Sequence, residues 1–304
     1  MIAREARGSV MRAQRYLPTT ALFIALAIGC ARQYPAPASN SPVPPKTPVG
    51  SAPTPSLKAA DEWKRPPEIQ ENISVERCYA GGNPKQQYFL MRQRKPAKPS
   101  DKYGLVVIVP GGPGTAEFLP FCANVLTALA IPDDFLVAQL AAPQWRPGDD
   151  RIVWPSHVFP DDKAEFTTEA FLGAVIDEVT TKQPIDERFV FTLGWSSSGH
   201  VLYSASTRVP KVRGSVIAMS RFLSDRSVET DKVRGKAYYL YHSPEDMVCP
   251  FAEAELAVKT LKEHGAEAKL ISYKGGHGWV PFTFYGDRIK EGILWLKDSK
   301  VTAK

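Results

Sequence analysis

The stretch Phe189-Val190-Phe191-Thr192-Leu193-Gly194-Trp195-Ser196-Ser197-Ser198-Gly199-His200 decides the fold of this chain. It begins with an apolar, aromatic and β-branched run that predicts a buried strand, and it leads into a stretch with the small residues Val201 and Ala205 that is typical of a helix. Between the two lies Gly-x-Ser-x-Ser-Gly, the sequence form of a nucleophile elbow, in which one serine occupies a strained strand-to-helix turn.

The tightness of this turn selects one of its three serines. The residues two before and two after the corner approach each other closely, so both must be small. Gly194 and Ser198 fill these places around Ser196, which we therefore predict to be the nucleophile. A corner at Ser197 would put Trp195 where a small residue is required. By itself the stretch also fits a serine-rich turn that caps an ordinary helix.

Two residues downstream supply the partners that a serine nucleophile requires. A serine hydroxyl needs a base to take its proton and a third group to orient that base. Asp246 follows a predicted strand by a few residues, and His277 lies in a glycine-rich loop after the next strand, which gives the order serine, acid, histidine. Glu245 is the alternative acid. The other histidines have no matching loop position or are expected to pack: His157, His200, His242 and His264.

The loop Pro110-Gly111-Gly112-Pro113-Gly114 predicts the donors of an oxyanion hole. It follows an apolar strand and precedes the first predicted helix, and its glycines let the backbone approach a substrate closely. We expect the backbone N–H groups of Ser197 and Gly112 to be the two donors, with Gly111 as the second choice in the loop. Pro113 has no N–H and is excluded.

Strands and helices alternate along the rest of the chain. This alternation predicts an α/β fold with a mostly parallel, doubly wound sheet and helices on both faces. A turn at Gly81–Pro84 indicates a hairpin at its start. The other predicted strands are Ile73–Tyr79, Gln87–Arg92, Leu105–Val109, Phe135–Leu140, Gly214–Met219, Lys236–Tyr241 and Ala268–Ser272, and the predicted helices are Glu117–Ala130, Ala164–Thr181, Phe251–Glu263 and Asp287–Leu296.

The first 30 residues have the pattern of an export signal of the bacterial lipoprotein type. A basic start is followed by an apolar run of about ten residues, too short to span a bilayer, and then by Gly29-Cys30. We expect Cys30 to be lipidated, although Ala27 stands where leucine is commoner, so a plain secretory signal is the alternative. Met11 is an alternative start for the same signal. The protein is expected in the periplasm or at the cell surface.

Residues 31–60 predict a disordered tether. Eight of the 27 prolines lie between Ala31 and Pro55, among serines and alanines with almost no large apolar residue. The catalytic domain is then expected over residues 61–304. Of the net charge of +6, the first fifteen residues carry about half, and no Lys/Arg cluster interleaved with aromatic residues follows. Nucleic-acid binding is therefore not expected, and the lipid anchor is the only membrane contact predicted.

The remaining cysteines are few, and none has metal-ligand spacing. Cys78 and Cys122 could form a disulfide, and Cys249 is expected to be a buried small hydrophobe. No metal or other cofactor is predicted.

Residues from about Ile73 to Leu296 resemble the α/β-hydrolase-fold serine hydrolases. The nearest group is that of phospholipase/carboxylesterase and dienelactone-hydrolase-like enzymes, which includes secreted polyhydroxyalkanoate depolymerase-like and feruloyl esterase-like members. The segments that carry the resemblance are Gly194–Gly199, His242–Pro250 and Gly275–Trp279. Three positions depart from the pattern: Pro110 replaces a frequent histidine, and Ser198 and Ser243 replace usual glycines.

The resemblance implies a carboxylic ester hydrolase with Ser196, Asp246 and His277 as its triad. Two alternatives stay open. The Gly-Gly-Pro-Gly loop is similar to that of proline iminopeptidases, which are peptidases of the same fold, and a catalytically silent surface-binding lipoprotein is the other. Trp195 and Trp154 are candidate substrate contacts near the sheet edge where ligands bind. The short segment Ser220–Arg234 favours an open site for a small ester or a polymer end.

Overall fold

A computed structural model describes residues 64–95, 101–145, 153–278, 280–282 and 286–301. The predicted export signal, with Cys30, and the predicted tether lie outside these ranges. Within them, none of the helices has the length and apolar character needed to cross a bilayer.

A single eight-stranded sheet forms the centre of the fold. Its order is β1-β2-β4-β3-β5-β6-β7-β8. The pairs β1/β2 and β2/β4 are antiparallel, and all pairs from β4 through β3 to β8 are parallel. The strands are β1 Ile73–Tyr79, β2 Gln87–Gln93, β3 Tyr103–Val109, β4 Phe135–Leu140, β5 Ile185–Trp195, β6 Gly214–Ala218, β7 Ala237–His242 and β8 Glu267–Ser272. The predicted mostly parallel sheet is confirmed.

Helices cover both faces of this sheet. Within the described residues the longer regular helices are α1 Thr168–Lys182, α2 Gly199–Arg208, α3 Phe251–Glu263 and α4 Asp287–Lys297. Alternate residues of β3 show how the faces divide: Leu105, Val107 and Val109 pack toward α1, α2 and α3, whereas Val106 and Ile108 pack toward α4 and the helical segment before β4. A strand buried on both faces reads as one continuous apolar run, which is the pattern of Leu105–Val109.

The segment before β4 is not the regular helix that the sequence predicts over Glu117–Ala130. It consists of a 3₁₀ turn Ala116–Phe118, one α-turn Leu119–Phe121 and a π-helix Cys122–Ala130. In a π-helix each N–H reaches the carbonyl five residues back, and the Thr127 hydroxyl also donates to the Cys122 carbonyl at 2.9 Å. The apolar periodicity marks a helix here but does not distinguish its winding.

Helix α1 begins at Thr168, four residues later than predicted. The Thr167 side chain accepts a hydrogen bond from the Ala170 N–H at 3.2 Å and so caps the helix. Just before it, the Ala164 N–H bonds the Asp161 carbonyl in a turn. The sequence signal for the start of this helix is Thr167, an N-cap residue that lies inside the apolar periodic stretch.

The sheet also explains why no disulfide joins Cys78 to Cys122. Both thiols are free. Cys78 packs against the layer under α1, whereas Cys122 belongs to the layer on the opposite face, so the sheet separates them. The disulfide that the sequence left open is therefore not formed. Cys249, in contrast, is fully buried, as predicted.

The burial of α1 can be tested with two leucines of different exposure. We expect Leu172→Ala, at a fully buried position, to lower the free energy of unfolding by about 2–5 kcal/mol, because it removes apolar contacts and leaves a cavity. Leu294→Ala in α4, where the side chain is 40% exposed, is the matched control and should cost less than about 1 kcal/mol. Urea denaturation followed by circular dichroism measures both, and equal losses would contradict this packing.

Candidate active site

The predicted functional residues come together at the carboxyl edge of the parallel strands. Ser196 follows β5, Asp246 lies in the loop after β7, His277 lies in the loop after β8, and the Gly-Pro-rich loop follows β3. Parallel strands end at a common edge, so four segments that are distant in sequence meet there.

Ser196 occupies a strained corner. Its φ is +56°, a left-handed backbone conformation that residues other than glycine rarely adopt. The turn is also crowded: a Cβ on Gly194 would lie 2.8 Å from the Ser198 Oγ, and one on Gly199 would lie 2.3 Å from the Ser220 Cβ. Both distances are shorter than contacts between such atoms allow. The small residues predicted for the elbow are therefore required by the backbone.

Two short contacts connect Ser196, His277 and Asp246. The Ser196 Oγ lies 2.8 Å from the His277 Nε2, and the His277 Nδ1 lies 2.8 Å from the Asp246 Oδ2. Because a carboxylate only accepts hydrogen bonds, the His277 Nδ1 carries the proton and its Nε2 accepts from the serine hydroxyl. Ser197 does not take this place, since its hydroxyl points to the oxyanion loop.

Four donors surround the Asp246 carboxylate, which is buried. The Val248 and Cys249 N–H groups donate to its Oδ1, each at 2.8 Å. Its Oδ2 faces His277 at 2.8 Å and the His242 Nε2 at 3.2 Å. Burial alone would raise the pKa of Asp246, but the hydrogen bonds from His242, His277 and the Cys249 N–H outweigh it and hold the pKa well below its usual range. The carboxyl therefore stays ionised.

The loop that carries His277 is tied to the loop that carries Asp246. The Gly276 N–H donates to the Ser243 Oγ at 3.1 Å, and the Gly275 N–H donates to a carboxylate oxygen of Glu245 at 3.0 Å. Glu245 thus holds the backbone of the histidine loop, whereas Asp246 is the residue that meets the imidazole. Ser243, one of the departures from the family pattern, supplies a link that a glycine would lack.

The oxyanion loop is fixed by its carbonyl groups. The Gly112 carbonyl accepts from the Ser197 Oγ at 2.9 Å, and the Gly111 carbonyl accepts from the Gly114 N–H at 3.1 Å. In a trans peptide the Gly112 N–H points away from the Gly111 carbonyl. Within the described part of the chain that N–H makes no hydrogen bond. It is free to serve as the donor that the sequence assigns to it.

Trp154 supports this loop from behind. Its indole Nε1 donates to the Pro110 carbonyl at 2.8 Å, and its ring lies where a Cβ on Gly114 would have to go, at 2.7 Å. The side chain is only 1% exposed. Trp154 therefore supports the oxyanion loop, and its predicted role as a substrate contact stays a prediction.

Trp195 directly precedes Ser196 and lies in an aromatic cluster. Its ring packs edge-on against Phe118, Phe121 and Phe282, with centroid distances of 5.7, 6.0 and 5.1 Å. It is 2% exposed, and its buried Nε1 has no hydrogen-bond partner among the described residues. The predicted role of Trp195 as a substrate contact stays a prediction.

Two residues at the site escaped the sequence reasoning. The Ser220 Oγ donates to the Ser196 carbonyl at 2.8 Å and so fixes the elbow from the end of β6. His242, set aside because it has no matching loop position, contacts Asp246 four residues later. Ser220 acts from the end of the neighbouring strand, which no local motif marks, whereas His242 begins the segment His242–Pro250 that carries the resemblance. His200, in contrast, is buried edge-on against Phe159, and burial lowers its pKa to about 3.

Solved structures of esterases and hydrolases share this architecture. A thermostable esterase has 22% identity and a TM-score of 0.54, with 75% of this chain covering 63% of the other. A truncated carbohydrate esterase from gut microbiota has 13% identity and a TM-score of 0.57, with coverages of 79% and 99%. An α/β hydrolase from a Medee basin deep-sea metagenome library has 13% identity and a TM-score of 0.55, with coverages of 77% and 100%.

The chain has the α/β-hydrolase fold. At these identities the likeness concerns the fold, and it confirms the resemblance at that level. No family model and no curated protein sequence matches the chain. The activity of this chain is therefore argued from its own residues.

The close approach of the oxyanion loop to the elbow strand can be tested with a glycine substitution. A Cβ on Gly111 would lie 2.3 Å from the Trp195 carbonyl oxygen. We expect Gly111→Ala to lower the free energy of unfolding by about 1–3 kcal/mol, because the backbone on both sides is fixed.

The matched control is Gly173→Ala in α1. The nearest atom to its Cβ would be 3.8 Å away, and alanine favours a helix, so a gain of up to about 1 kcal/mol is expected. Thermal or urea unfolding measures both variants. A neutral Gly111→Ala would be inconsistent with the described loop position.

Proposed function

We propose that this protein is a serine hydrolase that cleaves carboxylic esters through an acyl-enzyme. The observation that carries the proposal is the hydrogen-bond chain from the Ser196 Oγ through the His277 imidazole to the Asp246 Oδ2, with 2.8 Å at each step. Its start at a strained elbow favours catalysis over a structural role, because strain of this kind persists only where the surrounding structure enforces it.

In the proposed acylation, the Ser196 Oγ attacks the ester carbonyl while the His277 Nε2 takes its proton. The imidazolium that forms keeps its Nδ1–H on Asp246, whose low pKa ensures a full negative charge beside it. The same proton then passes from the Nε2 to the leaving alkoxide, and an ester between Ser196 and the acyl group remains. Water attacks this ester with His277 again as base, which releases the acid and restores the serine.

The negative charge on the carbonyl oxygen would be held by the N–H groups of Ser197 and Gly112. The Ser197 side chain contributes to this arrangement as well, since its hydroxyl binds the Gly112 carbonyl at 2.9 Å. One residue thus donates its own N–H and positions the loop that carries the other. Preorganised donors of this kind commonly account for a factor of about 10²–10³ each in turnover.

The aromatic cluster around Trp195 supports a substrate with a modest acyl group. Phe118 and Phe282 flank the indole next to the nucleophile and provide apolar walls. Among the solved structures of the same fold are esterases, which favours esters as the substrate class. A peptidase remains the second candidate, because the Gly111-Gly112-Pro113-Gly114 loop is similar to that of proline iminopeptidases. Parallel assays on an ester and an aminoacyl amide separate the two.

Substitution of the nucleophile tests the proposal directly. We expect Ser196→Ala to reduce hydrolysis of p-nitrophenyl butyrate to the background rate and to abolish labelling by a fluorophosphonate probe, with the fold intact by circular dichroism. The control is Ser206→Ala in α2. It removes another buried hydroxyl, which lies 2.6 Å from the Tyr238 OH. That variant should keep its activity. Unchanged turnover in Ser196→Ala would exclude this serine, and an unlabelled wild type would favour a silent binding protein.

We also propose that the protein is exported and anchored to a membrane through lipid on Cys30. The support is the basic start, the short apolar run and Gly29-Cys30, followed by the proline-rich residues 31–60. Expressed in bacteria, the full chain should incorporate labelled palmitate and partition into detergent. Cys30→Ala should lose both properties, whereas Cys78→Ala should retain them. Label on the Cys30→Ala variant would rule out this anchor.

A further inference from the structure

A second histidine contacts the carboxylate of the proposed triad. His242 is the last residue of β7, and its imidazole is 2% exposed. Its Nε2 lies 2.8 Å from the Cys249 carbonyl oxygen and 3.2 Å from the Asp246 Oδ2. Both neighbours are hydrogen-bond acceptors, so the Nε2 must carry a proton. One N–H therefore serves two acceptors, one of which belongs to the triad.

We infer that His242 is a positioning residue of this site: its Nε2–H holds the Asp246 Oδ2 and draws charge from it, which sets the pH at which His277 can act as a base. The inference rests on the proposed function. It assigns a role to His242, which is not one of the three residues of the proposed triad.

The contacts around Asp246 explain why this donor matters. A carboxylate offers about four lone-pair sites. The Val248 and Cys249 N–H groups use the two on Oδ1, and His277 and His242 share Oδ2. Without His242, the His277 Nδ1–H would be the only donor on Oδ2. One site on Oδ2 would then be left without a donor, and that oxygen would carry more negative charge toward His277.

Cys249 joins the same network through both of its backbone groups. Its N–H donates to Asp246, and its carbonyl accepts from His242, so the loop 246–249 closes on the imidazole. The Phe251 ring packs edge-on against His242, with 5.9 Å between centroids. The imidazole therefore has one orientation, and that orientation keeps its N–H at the carboxylate.

Among the described residues, Glu245 is the charged neighbour of Asp246 in the chain, and its carboxylate binds the Gly275 N–H at 3.0 Å. Asp246 and Cys249 face His242 from its own loop, Tyr273 and His277 come from the segment after β8, and the Arg221–Glu253 ion pair lies at the start of α3. Burial raises the pKa of Tyr273 far above neutrality, and Arg221 neutralises Glu253 at 2.6 Å.

The direction of the effect follows from electrostatics. An anion near an imidazole favours its protonated form. Removal of the His242 donor leaves more negative charge on Oδ2, so the imidazolium form of His277 is stabilised. His277 should then lose its proton at higher pH, and a larger share of the enzyme should lack a base at neutral pH.

Histidine NMR titration tests this inference without relying on turnover. The chain has only five histidines, and a His277→Gln variant identifies the signals of His277. We expect His242→Leu to move the titration midpoint of His277 upward by about half a unit or more. His242→Gln, which keeps an N–H near the position of Nε2, should restore it. The control is His264→Gln, which removes an exposed histidine that bonds the Thr260 carbonyl and should leave the midpoint unchanged.

Further readouts cover the case in which His242→Leu does not fold. His242→Asn keeps a polar side chain that is too short to reach Asp246, and it should shift the midpoint as His242→Leu does. In the wild type, nitrogen shifts should show a protonated Nε2 on His242. An unshifted midpoint in both variants, or an unprotonated Nε2 in the wild type, would overturn the inference.

Kinetics separate this inference from the proposed function. If p-nitrophenyl butyrate is a substrate, the acidic limb of the kcat/KM profile should move to higher pH in His242→Leu. At alkaline pH the kcat/KM of this variant should return to the wild-type value. A loss that is equal at every pH would indicate a structural role only, against the inference. If the wild type neither hydrolyses the ester nor labels with a fluorophosphonate, the proposed function fails, and the NMR midpoints still decide the role of His242.

Discussion

The left-handed backbone at Ser196 is the constraint on which the site depends. A non-glycine residue with φ of +56° is unfavourable by itself, so neighbouring groups must hold it. The Ser198 Oγ donates to the Val109 carbonyl at 2.6 Å, which joins the elbow to β3, and the Ser220 Oγ holds the Ser196 carbonyl from β6. The turn is thus fastened to the strands on both sides of β5. The geometry of Ser196 therefore depends on the stability of the central strands of the sheet.

Serine hydroxyls recur at each junction of the site. Ser197 binds the oxyanion loop, Ser198 and Ser220 hold the elbow, and Ser243 joins the acid loop to the histidine loop. A hydroxyl is small enough for a crowded turn and can still satisfy a buried backbone group, which would otherwise cost about 1–3 kcal/mol. Two of these serines stand where related sequences usually have glycine. The substitutions exchange backbone freedom for fixed contacts.

The sequence predicts well what depends on local pattern and chain order. Apolar runs locate β1, β4 and α3 at their observed bounds, and the order of Ser196, Asp246 and His277 places them at one edge, because consecutive parallel strands end there. What depends on contacts across the sheet is not visible in it. The separation of Cys78 from Cys122 and the contact of Trp154 with Pro110 follow from packing between distant segments. The winding of the helix at Cys122–Ala130 and the approach of His242 to Asp246, four residues later, depend on the local course of the backbone.

The hydrogen bond from Trp154 to Pro110 connects the oxyanion loop to a segment that contains none of the proposed triad. The position of the oxyanion loop relative to Ser196 therefore depends on a residue outside the segments that carry the proposed triad. In evolutionary terms, the chain has an adjustable support: changes in the residues around Trp154 can alter how the oxyanion donors sit while the triad stays intact. Proteins with the same three residues at this sheet edge can then hold the loop differently, and a comparison of motifs alone would not reveal it.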